Sequence, residues 1–180
     1  MCLVTEHTRL RRDFDDLFKA YNKLNSQVLS LQPPKLPQGY PVHQLPWAEL
    51  ITSLLALGLE PMIKYDYPPD KYITYTDEAS WEKIVPFLTY PAELYVAEAA
   101  DCDDYSKWAT ADSSKLFNLN GCLQCWGDMP LGYHAWNLVI TASDAVSTTS
   151  YKLFDANAGF PHAGKLFNPM DNGYKPEAWK

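Results

Sequence analysis

Ala99-Ala-Asp-Cys-Asp-Asp-Tyr-Ser-Lys-Trp-Ala-Thr110 and Gly132-Tyr-His-Ala-Trp-Asn-Leu-Val139 are the stretches on which the fold turns. The first reads as a helix entered at Asp101 or Cys102, small and apolar on one face. Asp101 is a candidate cap, and Asp103 and Asp104 in the first turn suit the positive end of the helix macrodipole. The second stretch is aromatic and alternating, and it predicts a strand over residues 133–140. Gly121 to Trp126 and Tyr151 to Asp155 predict two more strands, the last closed by the turn residues Asn157-Ala-Gly159. A helix followed by two or three antiparallel strands gives an α+β fold.

Upstream, Trp47 to about Leu57 predicts a short apolar helix stopped by Gly58. Lys71-Tyr-Ile-Thr-Tyr-Thr76 is rich in β-formers and predicts a strand, and Ser80 to Leu88 a helix interrupted around Pro86. Pro33, Pro34, Pro37, Pro41 and Pro46 crowd one stretch and predict an extended connector. Before it, Leu10, Phe14, Leu17, Tyr21, Leu24, Val28 and Leu31 follow at alternating spacings of 4 and 3. That is a heptad seam, read either as an amphipathic helix packed on its own domain or as a self-associating coiled coil. The expected organisation is a heptad helix over residues 1–32, a connector over 33–46 and one domain over 47–180. Homo-oligomers would form through residues 10–31.

Charge narrows the partners. The net charge is -7, and residues 66–112 carry 3 basic and 11 acidic groups, which accounts for the whole excess. An acidic chain without a basic patch repels phosphate backbones, so nucleic acid is excluded as a partner. No run is long and apolar enough to span a bilayer, and no basic region followed by an apolar stretch opens the chain. The expectation is a cytoplasmic protein with no membrane partner. Four cysteines, Cys2, Cys102, Cys122 and Cys125, are too few for a disulfide framework in a chain of 180 residues.

Three residues have the types and positions of a thiol centre. Cys102 sits at a helix start, where unpaired N–H groups favour thiolate. His134 lies in a strand from which an imidazole can face a neighbour, and Asp155 ends the next strand, where it can hold that imidazole in one tautomer. Nucleophile, base and orienter is the logic of thiol acyl-transfer sites.

Asp101-Cys-Asp-Asp-Tyr-Ser106, Gly132-Tyr-His-Ala-Trp-Asn-Leu-Val139 and Tyr151-Lys-Leu-Phe-Asp155 together resemble the transglutaminase-like branch of the papain-like cysteine peptidases. The resemblance covers about residues 95–160. Asp-Cys-Asp-Asp more narrowly resembles the papain-like C-terminal domain of the Marasmius agglutinin and related bacterial and phage proteins. It implies a papain-like, transglutaminase-like fold, a nucleophile helix packed on a small antiparallel sheet, to which the heptad helix would be an N-terminal extension. It also implies a peptidase, amidase or acyltransferase acting on a peptide or amide substrate through an acyl-enzyme. Cys102 would be nucleophile, His134 general base and Asp155 the orienting acid. The backbone N–H of Cys102 would donate to the oxyanion, with Gln124 and Trp136 as candidates for other roles around the cleft.

Asp101, Asp103 and Asp104 would raise the pKa of a neighbouring thiol. They must therefore be turned into caps and ion pairs or be neutralised by a cation. Calcium favours several carboxylate and carbonyl oxygens, and the agglutinin-type relatives are calcium-dependent. No cofactor is otherwise required. Cys122-Leu-Gln-Cys125 with Cys102 and His134 offers the ligand set of a structural zinc, so a zinc-stabilised binding module is one alternative. A non-catalytic assembly or adaptor protein joined through the heptad helix is the other.

Overall fold

The computed structural model describes residues 16–20, 35–62, 70–142 and 150–180. The chain divides into two compact units, residues 1–36 and 37–180. In the first, residues 16–20 are helical. The rest of the seam from Leu10 to Leu31, and with it the oligomer expectation, lies outside the described residues.

The second unit is α+β. Its small sheet pairs β1 (His43–Pro46) antiparallel with β3 (Tyr72–Tyr75). Its larger sheet has the order β2 (Glu60–Pro61), β7 (Lys175–Trp179), β4 (Cys122–Met129), β5 (Gly132–Ile140) and β6 (Tyr151–Phe154). The β2–β7 pair is parallel and the others are antiparallel, so the larger sheet is mixed. The expected small antiparallel sheet is thus its β4–β5–β6 part.

Helix α1 (Trp47–Ala56) buries Trp47, Leu50, Ser53 and Leu54, one stripe at helical spacing. It ends where Gly58 takes φ +77°, a left-handed conformation in which a side chain would be strained, and Leu59 N–H returns to Leu54 O at 2.9 Å. Helix α2 (Glu78–Ile84) is capped by Asp77, whose carboxylate accepts from Ser80 N–H at 2.8 Å. Pro86 then turns the chain into a 3₁₀ segment, Val85–Leu88. Buried Trp81 ties α2 to the sheet by donating its indole N–H to Ile140 O at 2.8 Å.

Helix α3 (Cys102–Phe117) begins at the residue expected and buries Tyr105, Ser106, Ala109, Ser113 and Phe117. Asn118, in the left-handed region at φ 56°, ends it. Strand β5 serves two partners. Trp136, Leu138 and Ile140 belong to the main core with Leu50, Leu54 and Trp179, while Asn137 reaches across to α3. The alternation of a two-faced strand therefore fixes where the first turn of α3 lies relative to the start of β5.

Candidate functional site

Cys102 is the first residue of α3 and is half-buried. Asp101 precedes it in extended backbone, but its side chain makes no capping hydrogen bond, contrary to the sequence expectation. A lattice of buried polar contacts holds the helix against β5. Ser106 donates its hydroxyl to Trp136 O at 2.7 Å. Asn137 Nδ2 donates to Ser106 O at 2.9 Å and to Thr110 Oγ1 at 3.2 Å. Ser106 lies one turn beyond Cys102, and Asn137 three residues beyond His134. The bonds between them tie the helix that begins at Cys102 to the strand that carries His134.

His134 is 6% exposed and Asp155 1% exposed. The imidazole Nε2 and Asp155 Oδ2 are 2.8 Å apart. With Nε2 so engaged, Nδ1 is the ring nitrogen left for Cys102, which lines the same cavity as His134. Asp155 follows β6 directly and is fixed by two further donors. Its Oδ1 accepts from Asn157 N–H at 3.0 Å, and its Oδ2 accepts from Tyr174 OH at 3.2 Å. Phe160 stacks on the imidazole with centroids 4.3 Å apart and planes tilted by 31°.

Burial opposes a proton on His134. The hydrogen bonds to Asp155 and Cys102 and the negative charge of both outweigh it, and the pKa is pushed up to about 9. A charged imidazole thus stands beside the sulfur through the neutral range, the arrangement that favours a nucleophilic thiol. The other described cysteines, Cys122 and Cys125, are free and wholly buried. Burial pushes the Cys122 thiol up to about 12 and the Cys125 thiol up as well.

The three residues named from sequence are therefore brought together. The zinc set is not. Among the described residues, one group of three or more His, Cys, Asp and Glu side chains lies close enough to share an ion, namely Asp101, Asp103 and Asp104, with ligand atoms within 4.8 Å of one another. Two of these carboxylates already have a cation. Lys107 Nζ lies 2.8 Å from Asp104 Oδ1 and 3.5 Å from Asp103 Oδ2. Their charge is in part compensated within the helix, by i,i+3 and i,i+4 pairing. Asp101 Oδ1 is buried with no hydrogen-bond partner, so this carboxylate has a free lone pair for a hard cation.

Of the residues expected around the cleft, Gln124 donates from Nε2 to Asp103 O at 3.0 Å, one residue beyond Cys102. Trp136 is fully buried in the core and does not line the adjoining cavity. Tyr174 and Phe160 escaped the sequence reading; Phe160 closes the turn that Asn157 opens, its N–H donating to Asn157 O at 3.1 Å, and Tyr174 follows a separate turn. The nearest sequence signal was Asn157-Ala-Gly159, read only as a turn. A cavity of about 490 Å³ opens beside Cys102 and His134, lined by Asn157 and Phe160 on one side and by the β4–β5 turn on the other.

No family model matches the chain, and no curated protein matches it. Among solved structures it is similar to a PSL1a–E64 complex at 18% identity, with 76% of this chain and 50% of the other covered and a TM-score of 0.48. It is also similar to Polyporus squamosus lectin bound to a human-type influenza-binding sialylated epitope, at 15% identity, 76% and 49% coverage and a TM-score of 0.46. The chain spans about half the length of these structures. The second is a lectin holding a carbohydrate, where a peptidase or amidase with a peptide or amide substrate was expected. That finding corrects the expected activity, the hydrolase class and the substrate.

Proposed function

We propose that residues 37–180 carry a covalent thiol centre in which Cys102 is the nucleophile, His134 the proton carrier and Asp155 the residue that orients it. The observation that carries the reading is the buried His134–Asp155 hydrogen bond, with Asp155 held by two further donors, at the cavity that Cys102 and His134 both line. In the reaction, the Cys102 sulfur attacks an electrophilic carbon of a bound ligand and a carbon–sulfur bond forms. The leaving group departs with its electron pair and takes the proton held at His134 Nδ1. Backbone N–H groups in the first turn of α3, which the Asp101 side chain leaves uncapped, are the donors available to charge developing on the ligand. The reading concerns the chemistry of the thiol and assigns it no peptide or amide. A nucleophile helix packed on antiparallel strands is also the arrangement on which we base a papain-like description of this unit.

A calcium ion on Asp101, Asp103 and Asp104 would be structural, fixing the entry to α3. The unpartnered Asp101 oxygen supports it. The reactive-thiol reading is tested by competitive labelling with iodoacetamide near neutral pH, followed by peptide mass spectrometry. Cys102 is expected to react well ahead of Cys2, Cys122 and Cys125, and to lose that advantage in His134→Ala. Equal labelling of accessible thiols, unchanged by that substitution, contradicts the reading.

A further inference from the structure

The cavity beside the thiol has an unusual lining for a site in so acidic a chain. Among the described residues its walls are Ala92, Tyr95, Met129, Leu131, Tyr133 and Phe160, and no Asp, Glu, Lys or Arg side chain of theirs lines it. His134 is the one strongly basic group there, and it is already engaged by Asp155 and Cys102. Three of the exposed large apolar side chains belong to its lining, on two separate segments. Leu131, on the β4–β5 turn, and Tyr133, the second residue of β5, are 79% and 60% exposed, and Tyr95, on the segment before α3, is 46% exposed. Large side chains left open to water around one cavity mark a binding surface rather than incomplete packing.

We propose that this cavity is a subsite for an uncharged, apolar group of aromatic-ring size, carried by the electrophile that Cys102 attacks. The inference rests on the thiol reading and names the ligand class it serves. Size and charge both point that way. A cavity of roughly 150 Å³ holds a benzene ring, so about 490 Å³ accommodates a ring with the linker that brings the reacting carbon to the sulfur. A charged group placed there would lose its hydration without gaining a counter-ion. Phe160, whose ring lies on the imidazole, forms the wall nearest the chemistry, so a ring bound against it would sit beside the reacting atoms.

The test uses the full chain and three alkylating probes: iodoacetamide, N-benzyl-iodoacetamide and N-(4-carboxybenzyl)-iodoacetamide. In each, the sulfur displaces iodide, a carbon–sulfur bond replaces a carbon–iodine bond, iodide leaves with the electron pair, and any thiol proton passes to solvent. Second-order rates at Cys102 are divided by the rates of the same probes with free cysteine. The benzyl probe is expected to exceed iodoacetamide at least tenfold after this correction and to saturate, and the carboxybenzyl probe to lose most of that gain. Leu131→Asp, at an exposed turn position, and Tyr133→Ser should each bring the ratio of benzyl to iodoacetamide rates below threefold, with folding checked by circular dichroism. A corrected ratio near one, or one insensitive to both substitutions, overturns the subsite. A carboxybenzyl rate above the benzyl rate overturns its apolar character. The thiol reading fails separately, when iodoacetamide itself does not distinguish Cys102 from Cys2, because the benzyl ratio is measured whatever the absolute rate.

Discussion

Tyr174 donates its hydroxyl to Asp155 Oδ2 at 3.2 Å, and that oxygen is the one His134 Nε2 holds at 2.8 Å. One carboxylate oxygen accepts both bonds, one at each of its lone pairs, and the two donors draw on the same charge. Burial and the neighbouring Asp155 charge raise the Tyr174 pKa, so the phenol remains a donor throughout the pH range of the site. Tyr174→Phe should cost about 1 kcal/mol through the lost hydrogen bond. It should also leave Asp155 more available to His134, so that the imidazole holds its proton to higher pH. Urea unfolding and the alkaline limb of the pH profile for Cys102 alkylation check the two effects.

The His134 proton is bound more tightly in the folded chain than in the unfolded one, since its pKa rises from 6.5 to about 9. The stability it contributes is complete below about pH 6.5 and is lost as pH rises through about 9. The loss should be on the order of 3 kcal/mol. Denaturant unfolding followed from pH 6 to pH 10 should show this decline, and Asp155→Asn should remove most of it.

Ser106 and Asn137 are both fully buried and join α3 to β5. Asn137→Leu removes the amide donor to the Ser106 carbonyl and the Thr110 hydroxyl, which keep their own bond to each other at 3.1 Å, and should destabilise by about 1 kcal/mol. Because the same bonds tie the helix that begins at Cys102 to the strand that carries His134, labelling of Cys102 should slow as well. Ser106→Thr retains the donor and should preserve labelling better than Ser106→Ala. Thermal melts and labelling rates on the three variants check this.

Much of this was legible in the sequence because local rules and tertiary structure agree there. Asp101-Cys-Asp-Asp starts a helix, residues 132–140 alternate, and Asp155 falls where a strand gives way to a turn. The sequence could not show β7. Lys175-Pro-Glu-Ala-Trp179 contains a proline, which reads as a break. The strand is accommodated because β4 shifts register between Trp126 and Gly127, and Gly127 pairs with Pro176. A side chain at Gly127 would collide with the Lys175 carbonyl, so the missing Cβ lets the two backbones meet. The Asp101 cap failed for a different reason. The residue stands where a cap belongs, but its side chain bonds to none of the helix N–H groups and its Oδ1 is left without a partner. Tyr174 and Phe160 reach the site from turns far along the chain, and no spacing rule links them to His134.

Calcium at Asp101, Asp103 and Asp104 would bind the native state alone and should raise the melting temperature. Asp101→Asn should weaken the response more than Asp104→Asn, because Lys107 already serves Asp104. Differential scanning calorimetry with calcium and with chelator checks this. No shift with either removes the ion from the account.

The most direct measurement is an NMR titration of the His134 imidazole in the intact chain, repeated after Cys102→Ser and in Asp155→Asn. The account predicts a midpoint near 9, the value to which its two partners raise it. It further predicts a fall when the sulfur is replaced and a larger fall when the carboxylate charge is removed. A midpoint at or below the ordinary histidine value, unmoved by either substitution, would show that Cys102, His134 and Asp155 do not act as one unit.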